Sequence, residues 1–153
     1  MGTTLLALLV NNDSIQWISV GDSPLYLYRD GKLMRINADH SLTPIINERL
    51  RLGEITEEEA ANHPDRHVLQ SALLGQPLTL VDSVMDPVPV KKGDIIVGAS
   101  DGILTLSEKQ LEDLLSFGRH TTADKIADAI IFAIRRINLD RQDNTTVGVI
   151  KIA

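Results

Sequence analysis

Thr3 to Val10 is a continuous apolar run opened by two threonines, and Ser14 to Val20 is a second. Asn11-Asn12-Asp13 between them is a turn signal, so the two runs read as strands of a hairpin. Gly21-Asp22-Ser23-Pro24 breaks the pattern, and Leu25–Arg29 and Lys32–Ile36 then flank Asp30-Gly31. That dipeptide suits a two-residue type I′ turn, because Asp and Gly tolerate positive φ. Short turns between consecutive strands imply antiparallel pairing over the first 36 residues.

The middle of the chain is more polar and carries mixed helical signals. Thr56 and Glu59 form a capping box for a short helix over 57–62, stopped before Pro64. Val68, Leu69, Ala72 and Leu73 recur at helical spacing, with Gly75 as a C-terminal stop. Strand character returns at Leu78–Met85 and Asp94–Ala99, and Pro87 and Pro89 suit an edge or a connection. Ser107 with Gln110 caps a helix bearing Leu111, Leu114 and Leu115, ended by Gly118. Thr121 with Asp124 opens the longest helix, whose stripe is Ile126, Ala127, Ile130, Ile131, Ile134 and Ile137. Thr145–Ile152 is a closing strand. No internal repeat or second domain is visible, so residues 1–153 read as one domain. An amphipathic helix needs a sheet to cover, and fully apolar strands need cover on both faces. The expected class is α+β, a layered antiparallel β-sandwich flanked by helices.

Composition narrows the function. Aromatics are 3% of the 153 residues, so the core must be aliphatic. The net charge of −6 argues against a nucleic-acid binder, which needs a basic face. Without cysteine there is no disulfide, thiolate zinc site or cysteine nucleophile. The N-terminal apolar run is too short to span a membrane and has no basic flank, and Leu6 stands where a myristoylation signal needs Ser or Thr. These features fit a cytoplasmic protein with no membrane partner.

Three acidic residues share a layout. Asp22 and Asp101 follow apolar strands, and Asp143 precedes one. Taken singly, each has a plain structural reading as a turn or Asx-cap residue. Gathered at one sheet edge, such carboxylates repel unless a cation neutralises them, and hard ions such as Mg²⁺ or Mn²⁺ take oxygen ligands.

The order of the motifs is more specific. Gly2-Thr3-Thr4, "VGDSPLYLYRDGKLMRINADHS", "GEITEEEAANHPDRHVLQSALLG", "VKKGDIIVGASDGILTLS" and "RQDNTTVGVIKI" follow one another as in the metal-dependent protein phosphatases of the protein phosphatase 2C group. The chain resembles the C-terminal two-thirds of that family. The resemblance implies two packed antiparallel sheets flanked by helices, with Mn²⁺ or Mg²⁺ at one edge. Asp101 and Asp143 match ligands of the family's two-metal core, and Asp22 with Asp101 matches a third, weaker site. The implied activity is hydrolysis of phosphoserine or phosphothreonine in protein substrates by metal-activated water, without a phosphoenzyme.

The family also has a stretch ahead of Gly-Thr-Thr that supplies a metal-bridging Asp, a phosphate-binding Arg and a His general acid. These positions have no counterpart in this sequence, so no catalytic residue is assigned. The expectation is a truncated domain lacking its N-terminal strands, weak or inactive alone, that dimerises or takes up a complementing segment. The alternative is a non-catalytic phosphatase-like binding or regulatory module. Of the four histidines, His40 is placed to order the Asp-His-Ser loop, while Arg66 beside His67 fits a solvated charge better than a phosphate contact. Pro24 stands where the family commonly has Arg, which removes a positive charge near Asp22.

Overall fold

The computed structural model describes residues 2–137 and 142–153. Strands β1 (Leu5–Val10) and β2 (Ser14–Val20) form an antiparallel hairpin, and two short strands, β5 (Asp82–Ser83) and β6 (Val88–Pro89), pair with the other side of β2. The second sheet has the order β4-β3-β7-β8, with β3 at Leu25–Arg29, β4 at Lys32–Arg35, β7 at Ile95–Ala99 and β8 at Val147–Lys151. Asp30 and Gly31 both take positive φ between β3 and β4, as a type I′ turn requires. Helix α1 (Thr43–Arg51) and helix α2 (Glu57–Ala61) lie between the sheets in sequence, while α3 (Glu108–Gly118) and α4 (Ala123–Ile137) precede β8.

The alternation of side chains along each strand explains the layers. On β3, Leu25 and Leu27 face the first sheet, where they meet Ile15 and Trp17. Tyr26 and Tyr28 point the other way, onto Leu111, Leu115, Ile126 and Ile130 of α3 and α4. Strand β7 divides likewise, with Ile96 between the sheets and Ile95 and Val97 under the helices. The second sheet is therefore covered on both faces, as its apolar strands demand. The first sheet is covered on one. Its outer face carries Leu9, 57% exposed, and Ile18, 40% exposed.

The capping boxes at Thr56–Glu59 and Ser107–Gln110 are present with both reciprocal bonds. Other local expectations need correction. Helix α4 starts one residue later than the Thr121 cap implies, since the Thr122 carbonyl accepts the Ile126 N–H. Residues 66–75 are not helical. Gln70 N donates to the His40 carbonyl and Leu73 N to the Thr3 carbonyl, so this backbone bonds across to other segments and cannot close i→i−4 bonds. Of the strand expected over Leu78–Met85, only Asp82–Ser83 is paired as a ladder. Leu78, Leu80 and Val81 are 38–45% exposed, with no sheet surface to bury them.

Candidate metal centre

The Asp22 turn is set by its glycine. Gly21 has φ +106°, and a Cβ there would lie 2.8 Å from the Thr4 Cβ, so neither the backbone nor the space admits a side chain. Gly21 N donates to His40 Nδ1 at 3.1 Å, and His40 N donates to the Gly21 carbonyl at 3.2 Å. His40 is buried and orders this turn by both bonds. Asn37 completes the clamp: its Oδ1 accepts from Leu25 N, and its Nδ2 donates to the Ser23 carbonyl.

The Asp101 end is set by β7. Ala99 N donates to the Pro24 carbonyl at 3.1 Å, which pins the residue two after Asp22 to the residue two before Asp101. Ser100 is extended, and Asp101 opens a 3₁₀ turn running to Thr105. Ser100 also holds the segment before β8: Ser100 N donates to the Thr146 carbonyl, Thr146 N to Ser100 Oγ, and Ser100 Oγ to the Asn144 carbonyl.

The Asp22 carboxylate feels the charge of Asp101. Asp22 is buried, and burial is the largest cause pushing its carboxyl above the ordinary value, followed by the charge of Asp101. A bond from its own backbone and the Arg35 charge act against this, and Asp39 adds to it. Asp143 behaves differently. It is exposed, and its Oδ1 accepts from the adjacent Asn144 N at 2.7 Å. Among the described residues no group of three or more acidic or histidine side chains is gathered for a metal. The donor chemistry at Asp22 and Asp101 fits one hard divalent ion, since two mutually repelling carboxylates, one desolvated, are relieved by a cation. It does not by itself fit a complete two-metal core.

Arg66 is accounted for structurally, because its Nη1 donates to Asn47 Oδ1 and the Ala60 carbonyl. The part-buried Arg35–Asn37–Asp39 network around the Asp22 turn is not predicted by the sequence reading. Its only signal there was the polar spacing of residues 35, 37 and 39 after an apolar hairpin.

No family model matches the chain. The serine/threonine phosphatase Stp of Listeria welshimeri is 34% identical over 148 residues, covering 96% of this chain and 55% of that protein. The structure of the S. agalactiae serine/threonine phosphatase superposes with a TM-score of 0.81 at 29% identity, covering 100% of this chain and 60% of that one. Over nearly its whole length the chain resembles serine/threonine phosphatases of the protein phosphatase 2C type. It spans a little over half the length of these phosphatases. The catalytic domain of the phosphatase PstP in complex with 2 manganese ions is also similar, with a TM-score of 0.73 at 29% identity, covering 97% of this chain and 57% of that one. The two-sheet α+β architecture is that of this phosphatase family.

Proposed function

We propose that residues 1–153 form a partial protein phosphatase domain whose Asp22 and Asp101 hold Mn²⁺ or Mg²⁺, with Asp143 a further ligand when the site is complete. The substrates of the complete domain are phosphoserine or phosphothreonine in proteins. The observation that supports this reading is the Pro24–Ala99 bond, which brings the Asp22 and Asp101 turns together at one sheet edge of a phosphatase-like fold. When bound, the ion supplies Lewis acidity toward phosphate and makes water a stronger nucleophile. The chain's own part is to position the carboxylates: His40 and Asn37 fix the Asp22 turn, and Ser100 fixes the backbone beside Asp101.

Completion of the site calls for more oxygen donors. A cleft of about 450 Å³ opens between β1 of one sheet and β7 and β8 of the other. Leu6, Leu8, Ile96 and Ile150 line it, and it runs to Ser23 and Ser100 beside the two carboxylates. An extended apolar segment filling this cleft, from another part of the protein or a second copy, reaches the metal edge. Among the described residues no helix is long and apolar enough to cross a membrane. We place the protein in the cytoplasm.

The absence of a three-carboxylate group among the described residues favours one other reading, a phosphatase-like binding or regulatory module. Mn²⁺ binding and Mn²⁺-dependent hydrolysis of an aryl phosphate, each measured beside Asp101→Asn, separate the two. Binding lost in the variant supports the metal site, and hydrolysis lost with it supports catalysis. A parent protein that neither binds Mn²⁺ nor hydrolyses the ester leaves the module.

A further inference from the structure

Arg35 lies at the end of β4, and its guanidinium reaches three acceptors around the Asp22 turn. Nη2 donates to the Asp22 carbonyl at 2.8 Å, Nη1 to Asp39 Oδ2 at 2.9 Å, and Nε to Asn37 Oδ1 at 3.4 Å. The side chain is only 20% exposed and Asp39 16%. Asp39 is itself anchored, since its Oδ1 accepts from Ser41 N at 2.9 Å. The fork thus ties the peptide that carries the Asp22 carboxylate to a fixed post. Position 24, two residues after Asp22, is a proline and offers no backbone donor.

Its charge and its geometry have opposite consequences. As a cation near a cation site, Arg35 opposes metal entry. As a fork on the Asp22 carbonyl, it fixes the peptide plane from which the carboxylate projects. Three acceptors reached from Nε, Nη1 and Nη2 suit the guanidinium fork, which an ammonium does not reproduce.

We infer that Arg35 is a positioning residue of this metal edge, holding Asp22 in the orientation from which it ligates a divalent ion together with Asp101. The inference rests on the metal reading of that edge. Outer partners of metal ligands typically set about 10- to 100-fold of metal affinity. Arg35→Lys keeps the charge and loses the fork, while Arg35→Gln loses both.

Mn²⁺ affinity measured by calorimetry is expected to weaken about 10-fold or more in both variants, with the metal-free melting temperature of Arg35→Lys near that of the parent. Unchanged affinity in both overturns the inference. So does tighter binding by Arg35→Gln, which would make Arg35 only an opposing charge. If the parent protein takes up no Mn²⁺, the metal reading falls, and amide exchange in the metal-free protein decides the positioning role. Faster exchange at residues 21–23 in Arg35→Gln, with β7 unchanged, supports it, and unchanged exchange at the turn overturns it.

Discussion

Gly102 follows Asp101, and an Asp-Gly pair after a strand ordinarily marks a flexible turn. The structure gives this glycine another reason. Its φ is not in the left-handed region, so backbone freedom is not what it supplies. A Cβ on Gly102 would lie 2.6 Å from the Asn144 carbonyl oxygen and against Thr145 Oγ1. Ordinary C···O contacts begin near ~3.3 Å, so Gly102→Ala must push the 144–145 backbone away by about 0.7 Å. That backbone is held by the Ser100 bonds to Asn144 and Thr146, which would stretch with it. Overpacking of this kind costs about 1–3 kcal/mol. For a domain of this size the melting temperature should fall by ~2–4 °C per kcal/mol, or about 2–12 °C. Thermal unfolding followed by circular dichroism reads this directly. Gly148→Ala is the control, since its nearest neighbour is the Gly98 carbonyl oxygen at an ordinary 3.8 Å. The alternative has the opposite sign. A glycine kept only for a turn that other residues can adopt is stabilised by alanine, by about 0.4–1 kcal/mol. A melting temperature for Gly102→Ala equal to or above that of the parent would refute the close-approach argument.

Asp22→Asn should make the metal-free protein more stable near neutral pH, because burial and the Asp101 charge both penalise the ionised form of Asp22. A raised folded pKa makes the ionised group a cost above that pKa, relieved as pH falls through it, so the gap between variant and parent should close on acidification. Urea midpoints across that range measure it, and a less stable Asp22→Asn at neutral pH would contradict it. Asp94 has the reverse sign. Burial alone would raise its carboxyl, but bonds from Arg29 at 3.0 and 2.5 Å and from Lys91 N at 2.7 Å together hold it below the ordinary value. Its contribution should be fully present above the ordinary carboxylate value of 3.8 and lost as pH falls through the lower folded one. Asp94→Asn should cost about 2–3 kcal/mol at neutral pH, the scale of hydrogen bonds to a charged group, and a loss that does not shrink in acid would count against the assignment.

Elements written in local chemistry were legible before the structure. The first four strands, the Asp30-Gly31 turn and two capping boxes depend on residues within a few positions of one another. What failed depends on distant partners. Val68–Leu73 has helical spacing, yet bonds from Gln70 to His40 and from Leu73 to Thr3 outweigh that preference. Helix α1 lacks such local signals: its N-cap is Leu42, with no side-chain cap bond, and Ile46 is its only buried residue. The acidic residues could be nominated from sequence, but their grouping could not. The Asp22 and Asp101 turns are brought together through a bond between Pro24 and Ala99, 75 positions apart in the numbering.

That meeting follows from core packing. Strands β3 and β7 pair with Leu25 opposite Gly98 and Leu27 opposite Ile96. Every side chain from Leu25 to Tyr28 is buried, with leucines toward one layer and tyrosines toward the other. A slip of one residue would send the tyrosines into the space between the sheets and the leucines under the helices. Gly98 adds a second lock, because a Cβ there would already be 3.2 Å from Leu6 Cδ2. The register is therefore fixed by apolar burial across two layers, and the same register places the end of the Asp22 turn beside the start of the Asp101 turn. Apolar burial thus brings the two turns of the proposed metal edge together, and the polar bonds of His40, Asn37, Arg35 and Ser100 then hold their backbone in place.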